Sequence, residues 1–169
     1  MPPANTAYVL SNNFTKIAPK VYVKPDADAS VATGSEEFPY RTVQAAINAT
    51  TEPVTIIAKP GVYAEGYVEH PNYGCTRILT DRVLRITSEA GAENTILMGS
   101  PSTDPSADEY GRGPGAVRCI VQNGNMTQIQ GFTLTGGRTA KTNTAGAHDG
   151  FGGAIFNAST YLSVDDCII

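Results

Sequence analysis

The stretch that decides the fold is IQGFTL at residues 129–134, because its pattern returns 35 positions later as VDDCII at residues 164–169. Upstream, CIVQN at 119–123 matches AIFNA at 154–158 within about a residue, and Ile86 and Val121 are also 35 positions apart. A fixed period made of short strands and turn residues is typical of a solenoid. The unit contains no helical pattern, so the sequence predicts a β-helix with coils stacked about 4.8 Å apart.

An antiparallel β-sandwich is the alternative, since it also has short strands and frequent turns. It does not predict the 35-residue offset. Two-residue turns of the Asn-Gly type, which close antiparallel hairpins, are scarce in this chain.

The composition agrees with a turn-rich β protein of one domain. The chain has 169 residues, 17 Gly, 11 Pro and only 17% charged residues. Its net charge of −4 gives no reason to expect a nucleic-acid partner. No run approaches the roughly 20 apolar residues of a spanning helix, so we expect no membrane insertion.

Outward from the repeat, the chain divides into a tail and one β-helix domain. Residues 1–20 are predicted to be an N-terminal tail without signal-peptide character, and residues 21–169 the domain. The cap covers about 21–53 and includes a strand at 21–23 and a helix at about 42–49. Thr42 is the expected N-cap, and Val43, Ala46 and Ile47 form one apolar stripe.

The coils are predicted to occupy residues 54–169. The expected strands lie at 54–58, 62–68, 82–87, 95–98, 117–121, 126–130, 132–135, 153–156, 162–164 and 167–169. The last strand is cut by the end of the chain, so the C-terminal end of the solenoid is expected to be open. Its cover would be the remaining coils of a longer parent chain, of which this would be a fragment, or another copy.

Four stretches carry a resemblance to a known family. They are residues 21–26 with PYRTVQAAI at 39–47, TIIAKPGVY at 55–63, LRITSEAG at 84–91 with ENTIL at 93–97, and GFTLTGG at 131–137 with GGAI at 152–155. Together they resemble right-handed parallel β-helix proteins of the pectin-lyase-like superfamily. The last stretch is similar to repeats of large bacterial secreted and surface β-helix proteins.

The resemblance implies the N-terminal part of a secreted or cell-surface protein that binds or degrades polysaccharide. A non-catalytic adhesin or structural stalk, or a self-assembling module, is the alternative. The catalytic patterns of polygalacturonases, pectin methylesterases and pectate lyases do not carry over to this sequence. Whether the chain is an enzyme therefore stays open.

Three long interruptions, at about 69–81, 100–115 and 138–151, are expected to emerge on one side and to hold any site. The catalytic candidates are His148 and Asp149, with Lys141 and Arg138. The substrate-binding candidates are Tyr73, Arg77, Tyr110 and Arg112. The candidate ligands for Ca²⁺ are Asp104, Asp108 and Glu109, whose spacing matches no EF-hand loop. Ordinary turn chemistry is the alternative for Asp149, which precedes a glycine, and a solvated acidic loop is the alternative for the calcium candidates.

The remaining polar and sulfur groups are interpreted as structural. Cys75, Cys119 and Cys167 match no zinc spacing, and small buried thiols are expected, with a disulfide of Cys75 left open. Asp165 and Asp166 are adjacent and are expected at a turn rather than in a shared site. Asn123, Asn125 and Asn157 are expected to stabilise turns.

Overall fold

The computed structural model describes residues 19–51, 53–140, 150–159 and 161–169. Most of the predicted tail, residues 1–18, lies outside them. The described elements are one helix and twelve strands: β1 (Lys20–Val23), α1 (Val43–Ala49), β2 (Val54–Ala58), β3 (Gly61–Tyr63), β4 (Val68–His70), β5 (Gly74–Thr80), β6 (Leu84–Ser88), β7 (Thr95–Met98), β8 (Val117–Gln122), β9 (Thr127–Gln130), β10 (Thr133–Thr135), β11 (Ile155–Asn157) and β12 (Leu162–Asp165).

The strands form three sheets, in which every pair of strands except one is parallel. Sheet A has the order β1-β2-β6-β9-β12, sheet B the order β10-β7-β3, and sheet C the order β11-β8-β5-β4. Only β4 and β5 are antiparallel. From β2 onward the coil strands enter sheets A, B and C in that order three times, and β12 returns to sheet A. The chain is thus an all-β protein with one short helix.

Strand register confirms the 35-residue offset in the last part of the chain and corrects it earlier. Ile129 pairs with Val164, and Ile120 with Ile155. Ile86, however, pairs with Ile129 in sheet A, and Val121 pairs with Leu79 in sheet C. The prediction that Ile86 and Val121 are equivalent was wrong, because the long connection at 99–116 lengthens the repeat there.

The core lies between the sheets and is built from matched rows of apolar side chains. In sheet A, Ile56, Ile86 and Ile129 are in register and almost fully buried. Leu97 and Leu134 pair in sheet B and are buried in the same cluster. Burying each such side chain contributes about 1.5–3 kcal/mol, so these rows account for much of the stability.

The predicted helix is confirmed, and its ends are satisfied by specific contacts. Thr42 is the N-cap, and its Oγ1 accepts a hydrogen bond of 3.0 Å from the Ala45 amide. At the other end the Arg82 guanidinium donates to the carbonyls of Ile47 and Thr50. A helix of seven residues is unstable alone. Its buried stripe of Val43, Ala46 and Ile47 must therefore hold it against the sheets.

The structure has two strands, β4 and β5, where the sequence interpretation placed the end of one strand and a loop. β5 lies inside the predicted interruption 69–81, and the predicted strand 62–68 ends at Tyr63. Thr76, Arg77 and Thr80 are buried on β5, so a strand was mistaken for a polar loop. The predicted strand 167–169 is reduced to a single bridge between Ile168 and Thr133.

Two smaller points concern the state of the cysteines and the length of the helix. Cys75, Cys119 and Cys167 are free thiols, and the first two are buried. Burial raises the pKa of Cys119 and of Cys75. No helix in the described part of the chain is long and apolar enough to span a bilayer.

Candidate functional site

The connections between strands of sheet B and strands of sheet C include the two longest ones between the described strands from β2 onward. Residues 64–67, 99–116 and 136–154 each lie between a strand of sheet B and the next strand of sheet C. The predicted interruption 69–81 is not a loop, because β4 and β5 occupy it apart from residues 71–73 and 81. Lys141, His148 and Asp149 lie outside the described residues, so their proposed roles stay predictions.

The candidates of the first predicted interruption are built into the fold. The Tyr73 ring is 9% exposed and stacks on His70 with 4.4 Å between ring centroids. Its hydroxyl donates to Asn123 Oδ1 at 2.8 Å. Arg77 is buried and donates to the carbonyls of Met98 and Gly66. Burial lowers the pKa of Arg77.

In the second connection the carboxylates of Asp104 and Asp108 hold the loop in shape. Asp108 Oδ1 accepts from the amides of Tyr110 at 3.0 Å and Arg112 at 2.9 Å, and Oδ2 accepts from Arg112 Nε at 2.8 Å. These bonds lower the pKa of Asp108, with the Arg112 amide as the largest cause. Asp104 accepts in the same way from the amide and hydroxyl of Ser106.

The structure does not bring the candidate calcium ligands together. Within the described ranges, no three His, Cys, Asp or Glu side chains are grouped so that they could hold a metal ion. Glu109 is exposed beside Asp108, whose oxygens already accept bonds from its own loop. The two aspartates therefore act as turn-forming groups of their own loop.

Arg138, near the start of the third connection, is bonded to the second connection. Its Nε donates to the Tyr110 carbonyl at 2.8 Å, and the exposed Tyr110 ring lies beside the Arg112 guanidinium at 5.6 Å. Tyr110, Arg112 and Arg138 are thus close together on the surface. Among the described residues, they are the one group of predicted site residues that lies together on the surface.

A second polar surface, which the sequence interpretation missed, lies on the outer side of sheet A. Outward positions on successive strands are in register: Arg85 pairs with Gln128, and Gln128 with Ser163. In the next row Gln130 pairs with Asp165. We call these five residues the polar face of sheet A. The alternation of apolar and polar residues along β6, β9 and β12 is the signal that would have found it.

Hydrogen bonds link the polar face from one strand to the next. Arg85 Nη2 donates to Gln130 Oε1 at 2.6 Å, and Gln128 Nε2 donates to Asp165 Oδ2 at 3.0 Å. The same oxygen accepts from Ser163 at 2.7 Å. The bonds from Gln128 and Ser163 lower the pKa of Asp165. This carboxylate is therefore ionised at neutral pH and is a fixed acceptor on the surface.

Asp165 and Asp166 do not form a shared carboxylate site. Asp165 ends β12, whereas Asp166 has a φ of 52° and begins the following turn. Asp166 accepts instead from Gln130 Nε2 at 3.1 Å. The turn placement was therefore correct.

Comparison with known proteins adds no family to this description. No family model matches the chain, and no curated protein matches it.

Proposed function

We propose that the chain is part of a right-handed parallel β-helix of the pectin-lyase-like kind, and that it binds polysaccharide along the polar face of sheet A. Three supports for the architecture are the parallel pairing, the repeated order of sheets A, B and C, and the apolar rows in register. In this proposal the parent protein is secreted or displayed on the cell surface.

The proposal of polysaccharide binding rests on the polar face of sheet A. Arg85, Gln128 and Ser163 occupy equivalent positions on neighbouring strands, which lie about 4.8 Å apart. A polysaccharide laid across the strands would meet a similar row of donors and acceptors at each step. Asp165 supplies charged acceptor oxygens, and Arg85 and Gln128 supply N–H donors for sugar hydroxyls.

Binding is better supported than cleavage by the described residues. Hydrolysis of a glycosidic bond needs two carboxyl groups in different protonation states. The pKa of Asp165 is lowered, and its neighbour Asp166 begins a turn. Catalysis by the candidates at 141, 148 and 149 remains a separate prediction.

A non-catalytic stalk is the second candidate, and one observation favours it. The side chains of the polar face bond to one another across the strands, as in the contacts of Arg85 with Gln130 and of Gln128 with Asp165. Such a ladder stabilises stacked strands without any ligand. A polysaccharide would then have to replace these side-chain hydrogen bonds with its own, because the groups that make them are already paired.

Affinity electrophoresis against a panel of neutral and acidic polysaccharides separates the two. We expect at least one polysaccharide to retard the chain, and the double variant Arg85→Ala/Gln128→Ala to bind it at least about tenfold more weakly. Asn94→Ala, an exposed amide variant away from the face, is the matched control. A thermal melt of each variant checks that the fold survives.

The outcomes lead to different conclusions. If no polysaccharide retards the folded chain, the binding proposal fails and the stalk becomes the better interpretation. If the double variant binds as well as the control, the polar face is not the site. Release of reducing ends during the assay would add degradation to binding.

A further inference from the structure

A pocket of about 270 Å³ lies between α1 and the hairpin that β4 forms with β5. Ile47 from the helix and Leu79 from β5 provide its apolar part. Its polar lining includes Asn48, Asp81 and Asn123. The volume is slightly below the roughly 300–1,000 Å³ of sites for drug-sized molecules, so the pocket suits a small ligand.

His70 adds a donor whose hydrogen position follows from its partner. It lines the same pocket, and its Nδ1 accepts a hydrogen bond of 3.1 Å from the Asn72 amide. Neutral histidine carries one ring hydrogen, so that hydrogen is assigned to Nε2. The stack on Tyr73 fixes the plane of the ring.

Two amide side chains have their acceptor atoms occupied and their donors left over. Asn123 Oδ1 accepts from the Tyr73 hydroxyl at 2.8 Å, and Asn48 Oδ1 accepts from Gln44 Nε2 at 2.9 Å. The Nδ2 group of each asparagine therefore remains to donate. Together with His70 Nε2, the lining has three sources of N–H donors.

The charges in the lining offset each other. Asp81 has a side chain that is 73% exposed, and one of its oxygens lies 3.8 Å from Arg82 Nε. Both terminal nitrogens of Arg82 donate hydrogen bonds to carbonyls at the C-terminal end of α1. The Asp81 carboxylate is thus the main acceptor, and the pocket does not select strongly for a charged ligand.

We propose that this pocket binds a single neutral pyranose ring. A ring of this kind presents hydroxyls that accept from His70, Asn48 and Asn123 and donate to Asp81, while its C–H face lies on the half-buried Leu79. The inference rests on the proposed function for the class of ligand. Its site is separate, because the pocket shares no residue with the polar face of sheet A.

Titration of the ¹⁵N-labelled chain with methyl glycosides of glucose, galactose and mannose, followed by NMR, tests this. We expect one glycoside to shift the amide signals of Asn48, Leu79 and Asn123, with a dissociation constant on the order of 1 mM.

Two conservative variants test the assigned groups. His70→Phe keeps an aromatic ring on Tyr73 but loses the N–H, and Asp81→Asn loses the charge at an exposed position. Each should weaken binding by about tenfold: His70→Phe loses one donor, and Asp81→Asn turns a charged acceptor into a neutral one. Asn94→Ala should bind like the unmodified chain.

The possible results distinguish this inference from the proposed function. If no glycoside shifts these signals, or if both variants bind normally, the pocket proposal is overturned. In either case, polysaccharide retardation that depends on Arg85 and Gln128 would leave the proposed function standing. Conversely, pocket binding without any retardation would support this site and count against the polar face.

Discussion

Replacing Phe132 by Ala tests the placement of the strands at the C-terminal end of the described core. Phe132 lies between β9 and β10, directly after Gly131, whose φ is 77°. Its side chain is 1% exposed and belongs to the buried apolar cluster. Its carbonyl accepts a hydrogen bond of 3.0 Å from the Ile168 amide, so its backbone is bonded to the segment that follows β12.

The expected cost follows from the cavity that the variant leaves. Removing a buried phenyl group typically costs about 3–5 kcal/mol of unfolding free energy. Domains of this size lose about 2–4 °C of melting temperature per kcal/mol, so we expect a fall of roughly 6–20 °C. The loss is a large part of the 5–15 kcal/mol by which typical proteins are stable.

Urea denaturation followed by circular dichroism, together with a thermal scan, measures this loss. Val62→Ala is the control: its side chain is 45% exposed on β3 and should change the stability by no more than about 0.5 kcal/mol. A loss below about 1 kcal/mol for Phe132→Ala, with an unchanged denaturant slope, would refute the buried placement.

Three further predictions concern an arginine, a loop carboxylate and a thiol. Arg82→Ala should lower the unfolding free energy by about 2 kcal/mol in urea denaturation, because the last carbonyls of α1 lose their charged donor; an unchanged midpoint would contradict this. Asp108 has a lowered pKa, so its bonds contribute above the ordinary value of 3.8 and are lost as the pH falls through the lower folded-state pKa. The NMR signal of the Arg112 amide should therefore move only below about pH 4, and Asp108→Asn should abolish that transition. The Cys119 thiol, which is buried with a raised pKa, should react with Ellman's reagent far more slowly than the partly exposed Cys167; equal rates would show that β8 is open to solvent.

Local sequence patterns predicted most elements because each has a clear start and stop. The N-cap at Thr42 and the apolar stripe on α1 were enough to place the helix. The strand at 54–58 alternates buried and half-buried residues up to the Lys-Pro-Gly turn, which is the pattern of a strand with one side in the core. Such features depend on neighbouring residues alone.

What the sequence could not supply was the length of each repeat and the role of buried polar residues. Connections between strands need no fixed length, so a constant offset failed for Ile86 and Val121. Arg77 made β5 resemble a loop, because its partners are the carbonyls of Met98 and Gly66, which only folding brings close. The polar face of sheet A was missed for a related reason, since its members come from three separate strands.

The uneven connections between the sheets also indicate where foreign sequence can be grafted. The turns from sheet C to sheet A stack closely, and a side chain at Gly124 would lie 2.3 Å from the Asp81 carbonyl oxygen. By contrast, the connections from sheet B to sheet C already range from residues 64–67 to residues 136–154 while the strands they join stay paired. A peptide epitope inserted at an exposed position such as Glu109 should therefore be displayed without shifting the strand register. This chain thus has the properties of a display scaffold, because one set of connections varies in length far more than the other two.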